Sequence, residues 1–289
     1  MKSFLKQALT ILPVVYLAVS PATFSEEPNS IQLKGSDTMV NLGQAWAEAF
    51  MGKNPSALIA VTGGGSGTGI AALLNGTCDI AQSSREMSEK ERGLGSQKGL
   101  NVQEVKVGID ALAVVVHPEN PIRQLSIEQL SDIFTGKIKN WKDLGGKDES
   151  ILVLSRERNS GTHVYFLEEV VRGGNKSGPE EFAPTVLMMP SSQAIEQEVS
   201  GNQAAIGYFG LGYLNPRVRA LDILQKNTAA YVSPSADSAL NGAYPLSRPL
   251  LFYLPRQPKG IVKQFVDFVL SQEGQAIVLD MHFVPLRKE

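Results

Sequence analysis

Three times along this chain, a short apolar segment runs into a loop of small polar residues and then into a stretch with helical spacing. The apolar segments are 31–33, 58–61 and 151–154, and each is followed by a loop rich in glycine, serine and threonine. Alternation of strand and helix is typical of α/β domains whose sheets are largely parallel. The sequence therefore predicts an α/β protein.

The length of 289 residues is more than one small core needs, because domains usually contain ~100–200 residues. We therefore expect two lobes.

Several further elements can be predicted from local composition. Apolar runs predict separate strands at 105–107 and 111–116 and a returning strand at 249–254. The small and polar residues of 233–241 predict a loop.

The first 25 residues have the pattern of a signal peptide. Lys2 and Lys6 precede an apolar run, and small residues then offer cleavage sites after Ala22 or Ser25. The alternative is a membrane anchor, but the run is shorter than the ~20 apolar residues of a spanning helix and contains Pro13. We expect an exported chain whose mature form does not insert into the membrane.

The charge balance of 27 basic and 29 acidic residues provides no broad basic surface, so neither nucleic acid nor an anionic membrane is an expected partner. Cys78 is the single cysteine, which excludes an intramolecular disulfide. The three histidines are dispersed without metal-ligand spacing. We therefore expect no metal and no cofactor.

Small residues at a helix start favour an anion, because free backbone N–H groups and the helix dipole meet there. The loops 35–38, 63–69 and 159–162 have that composition. Arg85 and Arg156 lie on comparable loops, and a guanidinium group can hold two oxygens of a tetrahedral oxyanion. Convergence of these loops would form a site for a dehydrated anion such as phosphate.

Each motif also has an ordinary interpretation. Serine, threonine and aspartate are common helix caps, and either arginine could equally form a surface salt bridge. The 63–69 loop lacks the Gly-Lys-Ser/Thr ending of a nucleotide P-loop and the order of a dinucleotide fingerprint. Convergence, rather than any single loop, favours a binding site.

Several motifs, in order along the chain, resemble those of the PstS family, the phosphate-binding components of bacterial high-affinity ABC phosphate importers. These motifs are Gly35-Ser36-Asp37-Thr38, Gly65-Ser66-Gly67, the segment 79–85 (DIAQSSR), the segment 108–116 (GIDALAVVV), Ser160-Gly161-Thr162, the segment 205–208 (AIGY), the segment 271–275 (SQEGQ) and the segment 283–286 (FVPL).

The resemblance implies a two-lobed periplasmic solute-binding (Venus-flytrap) fold with two hinge crossings. Lobe 1 would contain residues 26–113 and 248–289, and lobe 2 residues 114–247. The resemblance assigns ligand contacts, and no catalytic role, to Ser36, Thr38, Ser66, Ser84, Arg85, Arg156, Ser160, Gly161 and Thr162.

The chain departs from the family pattern after its third strand. Many members have an aspartate there that accepts a hydrogen bond from protonated phosphate, whereas this chain has Ser83-Ser84-Arg85. We expect Asp37 to take over the acceptor role and Asp110 to orient Arg85 from behind.

The leading prediction is a periplasmic, monomeric protein that captures inorganic phosphate and delivers it to the membrane permease of an ABC importer. One alternative is a binder of another tetrahedral oxyanion, such as sulfate. A secreted phosphatase-like enzyme with Ser36 or Ser66 as nucleophile is a second, although no histidine, metal cluster or elbow motif supports it. A sensor or adhesin that uses the bound anion as a switch is the third.

Overall fold

A computed structural model describes residues 29–225 and 228–286, and the predicted signal peptide lies outside these residues. The strands are β1 (Ser30–Gly35), β2 (Leu58–Thr62), β3 (Ile80–Ser83), β4 (Gln103–Val116), β5 (Gln124–Leu125), β6 (Leu152–Arg156), β7 (Leu187–Met189), β8 (Ala205–Gly210), β9 (Arg219–Ala220), β10 (Asp222–Leu224), β11 (Tyr231–Val232) and β12 (Ser247–Leu254). The α-helices are α1 (Val40–Lys53), α2 (Ser66–Leu74), α3 (Glu89–Gln97), α4 (Ile127–Phe134), α5 (Gly161–Phe166), α6 (Ser192–Gly201), α7 (Ala236–Leu240), α8 (Gly260–Leu270) and α9 (Gln272–Asp280).

The main sheet has the strand order β2–β1–β3–β12–β4–β8–β6–β7, with β9 beside β4. Strands β1, β2 and β3 are parallel to one another, as are β6, β7 and β8. Between these groups, β12 and β4 run antiparallel to each other and to their outer neighbours. The expected α/β alternation is confirmed, and the antiparallel strands are confined to the centre.

Strand β4 connects the two halves of the sheet. Its first part, up to Ala111, pairs with β12, and its second part, from Leu112, pairs with β8. The prediction of two separate strands here is wrong, because Gly108 and Asp110 continue the ladder opposite Leu250 and Arg248. Pairing with β12 outweighs the low β propensity of Gly and Asp.

Apolar side chains form separate clusters on the two sides of this crossing. On one side, Trp46 meets Phe252 edge-on, with ring centroids 5.6 Å apart, and donates its indole N–H to the Gly274 carbonyl at 2.7 Å. On the other side, Phe166 stacks on Tyr208 at 3.8 Å. Separate cores joined by two crossing strands make the fold two-lobed.

Local sequence signals explain several helix starts. Ser88 with Glu91 and Ser126 with Gln129 form capping boxes that begin α3 and α4. Helix α7 was not expected, because the 233–241 segment was predicted to be a loop. Its five residues are stabilised by a third capping box, formed by Ser235 and Ser238. Within the described ranges, none of the helices has the length and apolar character needed to cross a membrane.

Candidate functional site

The predicted loops meet where the carboxyl ends of the parallel strands approach the crossing. Ser36, Ser66 and Ser84 follow β1, β2 and β3, and all three are buried. Ser36 Oγ donates to Ser84 Oγ at 2.9 Å, and Ser66 Oγ lies 3.4 Å from Ser84 Oγ. The Ser84 backbone N–H also donates to Ser66 Oγ at 3.1 Å. The structure thus brings three sequence-distant hydroxyls into one cluster.

The second lobe contributes the start of α5. Ser160 Oγ accepts from the backbone N–H groups of Thr162 and His163, at 3.2 and 3.4 Å, and so caps this helix. Thr162 Oγ1 lies 2.9 Å from Thr38 Oγ1 of the first lobe. A π-helical turn at Leu167–Val171 continues α5.

Gly161 lies directly against the serine cluster. A Cβ atom at this position would collide with Ser66 Oγ and lie 2.9 Å from Ser84 Oγ. Only a residue without a side chain allows the α5 N-terminus to approach so closely. The start of α5 therefore packs directly against the hydroxyls of the opposite lobe.

The cleft between the lobes is closed by direct hydrogen bonds. Gly67 N–H donates to the Asn159 carbonyl at 2.9 Å, and Asn159 Nδ2 donates to the Gly64 carbonyl at 2.8 Å. Gly65 has φ +93°, and a Cβ there would lie 2.6 Å from the Asn159 carbonyl oxygen. The glycines of the 63–69 loop thus permit contact between the two backbones.

Tyr213 adds a further bond across the cleft. Burial and the nearby Asp37 carboxylate raise the pKa of Tyr213 to about 12, so its hydroxyl keeps its proton at neutral pH. This hydroxyl donates to the Asp37 carbonyl at 2.7 Å. Tyr213 was not among the predicted site residues.

Arg85 does not present its guanidinium fork to the cluster. Both terminal nitrogens donate to Glu91 at 2.8 Å, and Nη1 also donates to the Glu86 carbonyl. Burial raises the pKa of Glu91, but the hydrogen bonds and charge of Arg85 outweigh it, and the net pKa lies below the usual value. The expectation that this fork faces an anion is not supported by these contacts, since Glu91 occupies both arms.

Arg156 is buried in the second lobe and reaches across the cleft. Its Nη2 donates to Asp37 Oδ2 at 2.6 Å and to the Pro190 carbonyl at 2.9 Å, and Nη1 donates to Ser192 Oγ at 3.2 Å. Asp37 Oδ1 accepts from the Gly64 N–H at 3.0 Å. Both oxygens of Asp37 thus have protein partners, and its predicted acceptor role toward a ligand stays a prediction. We call Asp37 and Arg156 the cleft pair.

Arg248 was missed by the sequence reasoning. Its Nε and Nη2 donate to Asp110 Oδ2 at 3.0 and 2.8 Å, and Nη2 also lies 3.3 Å from Thr38 Oγ1 and 3.0 Å from Thr162 Oγ1. The prediction that Asp110 orients Arg85 is therefore wrong. We call Asp110 and Arg248 the hinge pair. A charged residue within the buried part of each crossing strand was a signal, because buried charges need a partner.

The surroundings of the serine cluster bear on the phosphatase-like alternative. The hydroxyls of Ser36, Ser66 and Ser84 contact one another and a backbone amide, with no general base among their partners in the described chain. Burial lowers the pKa of the nearby His163 to about 4, and its Nδ1 lies 3.2 Å from Ser155 Oγ, away from the cluster. Nor does any group of three His, Cys, Asp or Glu among the described residues suit a metal ion.

The two lobes and the polar cleft between them define the chain as a solute-binding protein of the Venus-flytrap class. A family model described as PBP superfamily domain matches residues 22–273. The phosphate-binding protein PstS of Pseudomonas aeruginosa is 35% identical over 87% of this chain and 81% of its own length. PstS of Bacillus subtilis is 34% identical over 89% of this chain and 81% of its own length. The chain belongs to the PstS family of the PBP superfamily.

Solved structures agree with this assignment. A putative phosphate ABC transporter substrate-binding protein from Clostridium perfringens, solved with bound phosphate, superposes with a TM-score of 0.80 at 34% identity. The match covers 89% of this chain and 100% of the Clostridium chain. An ABC-type phosphate transport receptor from Vibrio cholerae gives a TM-score of 0.68 at 29% identity, covering 88% of this chain and 99% of the receptor.

Proposed function

We propose that this chain binds inorganic phosphate between its lobes and delivers it to the membrane permease of an ABC importer. The observation that carries the proposal is the meeting of the α5 N-terminus with buried hydroxyls from three loops of the opposite lobe. The similarity to a chain solved with bound phosphate supports phosphate as the ligand.

The proposed ligand contacts are hydroxyls and backbone N–H groups. Ser36, Thr38, Ser66, Ser84, Ser160 and Thr162 carry hydroxyls that are buried and reorientable, and Gly161 lies at the α5 N-terminus. In the closed cleft the three serines of the first lobe bond to one another, and Thr38 bonds to Thr162. A phosphate ion would replace those neutral hydrogen bonds with stronger charge-assisted ones.

Magnitudes explain why both lobes are needed. Dehydrating an ion costs several kcal/mol, whereas a hydrogen bond to a charged group contributes about 1.5–3 kcal/mol. One loop offers few such bonds, but the converging loops offer enough for about 8 kcal/mol net, which corresponds to micromolar affinity. Closure of the lobes is therefore coupled to binding.

The lobes are proposed to comprise residues 26–113 with 248–289, and residues 114–247. The change of partner strand along β4, between Ala111 and Leu112, supports the first boundary, and the start of β12 at Ser247 supports the second. We further propose that the protein is exported, acts in the periplasm and is a monomer. Analytical ultracentrifugation of the mature chain, with and without phosphate, measures the last of these.

Titration calorimetry of the purified mature protein with phosphate and with sulfate tests the ligand. We expect saturable one-to-one phosphate binding and much weaker sulfate binding. Sulfate binding without phosphate binding would replace the ligand assignment. Turnover of a chromogenic phosphate ester that is lost in Ser66→Ala would instead indicate an enzyme.

A further inference from the structure

The hinge pair occupies the point where the two lobes join. Asp110 and Arg248 are direct partners in the ladder between β4 and β12, one residue before β4 leaves β12 for β8. Both are almost completely buried, with 0% and 2% of their surface exposed. The Asp110 carboxylate also accepts from the Leu211 N–H at 3.0 Å. The pair is therefore fixed by backbone pairing and by hydrogen bonds.

Arg248 contacts both lobes at the candidate site. Its Nη2 reaches the hydroxyls of Thr38 and Thr162, which come from opposite sides of the cleft. The guanidinium carbon also lies 5.4 Å from the centroid of the Tyr165 ring, at cation–π distance. These contacts hold the guanidinium group beside residues that we propose as ligands.

One terminal nitrogen of Arg248 makes no hydrogen bond to the described residues. Nη1 is buried and has no hydrogen-bond partner in the described part of the chain. Because Nε and Nη2 face Asp110, Nη1 points away from that carboxylate. An unpaired buried donor is unfavourable, so this nitrogen requires an acceptor.

The other two arginines of the site differ in this respect. Arg85 uses both terminal nitrogens on Glu91, and only its Nε is buried without a partner. Arg156 bonds through both terminal nitrogens to Asp37, Pro190 and Ser192. Among these three, Arg248 is the one with a terminal nitrogen that makes no hydrogen bond at all within the described residues.

We propose that Arg248 is an additional cationic ligand of the anion, through Nη1, and that Asp110 positions it. This inference rests on the proposed phosphate site and adds a charged donor to its hydroxyls and backbone N–H groups. A charged donor at the hinge remains beside the ligand hydroxyls of either lobe, whereas Arg156 belongs to one lobe only.

Calorimetric titration with inorganic phosphate separates the candidates. We expect Arg248→Lys to weaken binding about 10- to 100-fold, because an ammonium group cannot keep both hydrogen bonds to Asp110 and also reach the anion. The double variant Arg248→Gln with Asp110→Asn removes both charges without leaving either one unpaired, and should weaken binding at least as much. Arg92→Gln, which removes an exposed arginine paired with Glu104, is the control and should change affinity less than about threefold, while Arg85→Gln tests the arginine that the sequence motif favoured.

A second measurement uses the wild-type chain and so does not depend on how the variants fold. In ¹⁵N NMR of the arginine side chains, the signal that is missing in Arg248→Lys should shift on addition of phosphate. If the wild type binds phosphate but this signal does not move, or if Arg85→Gln loses affinity while the Arg248 variants keep it, the inference is wrong and the proposed function stands. If the wild type binds no phosphate, the proposed function itself fails.

Discussion

The cleft pair and the hinge pair have the same chemistry but join different parts of the molecule. Asp37 and Arg156 lie on opposite lobes, and their 2.6 Å contact spans the cleft. Asp110 and Arg248 lie on adjacent strands, and their 2.8 Å contact stays within one ladder. Opening of the lobes must separate the first pair, whereas the second can persist.

The acidic residues of the two pairs also differ in solvent exposure. The side chain of Asp37 is 16% exposed, whereas that of Asp110 is fully buried at 0%. A buried pair that persists in both states contributes to folding and fixes a donor, but it cannot report closure. A pair that forms only in the closed state contributes its free energy to closure and hence to ligand affinity.

Asp110→Ala should have the largest effect on stability. It leaves Arg248 charged and buried without its partner, which costs about 3–5 kcal/mol. Urea unfolding of the ligand-free protein, followed by circular dichroism, measures the change. Asp37→Ala is the comparison variant, because Arg156 keeps its bonds to Pro190 and Ser192. Equal losses in the two variants would remove the distinction between the pairs.

Asp37→Ala should instead act on ligand binding. The closed state loses a charge-assisted hydrogen bond worth about 1.5–3 kcal/mol, so phosphate affinity should fall roughly 10- to 100-fold. Calorimetry measures the affinity, and small-angle scattering at saturating phosphate measures closure. Asp37→Asn keeps an acceptor for the Gly64 N–H and isolates the charge. Unchanged affinity would show that the cleft pair does not contribute to closure.

Gly161→Ala should break the cleft contacts without touching the hinge pair. The added Cβ would meet Ser66 and Ser84 across the cleft, and overpacking of this kind costs about 1–3 kcal/mol. Phosphate affinity should therefore fall about 5- to 100-fold while unfolding of the ligand-free protein is unchanged. Gly52→Ala is the control, because a Cβ there has nothing within 4 Å. A stability loss without an affinity loss would contradict the expectation.

The difference between the pairs also marks what the sequence could reveal. Loops that begin helices carry local signals, and the structure brings Ser36, Ser66, Ser84 and the 160–162 loop together as expected. These signals depend on composition over a few residues, which is why they can be identified without knowledge of pairing.

The partners of the arginines could not be identified in that way. Arg248 meets Asp110 only because of the register between β4 and β12, which includes an irregularity between Leu250 and Leu251. A shift of one residue would place the two side chains on opposite faces. Arg85 was assigned to the anion by motif, but the capping box that places Glu91 also turns this carboxylate toward Arg85.

The pair formed by Arg85 and Glu91 gives the smallest expected effect. It joins the loop after β3 to the first turn of α3, with side chains 14% and 20% exposed, and it neither spans the cleft nor is fully buried, so we expect it to contribute about 1 kcal/mol. Because the folded-state pKa of Glu91 is lowered, its contribution is present above the ordinary value of 4.5 and is lost as the pH falls through the folded-state pKa. Glu91→Gln should therefore destabilise slightly at pH 7 and less at pH 3, which is below the ordinary pKa.

Glutamine at this position can keep the capping box with Ser88, so the variant isolates the charge. Urea unfolding at both pH values measures the difference, and Glu89→Gln on the exposed face of the same helix is the control. Phosphate affinity should remain within about threefold of wild type, because this pair neither spans the cleft nor lies in the hinge. A large loss of affinity in Glu91→Gln would mean that the pair of Arg85 and Glu91 contributes to anion binding. The difference drawn here between this pair and the hinge pair would then fail.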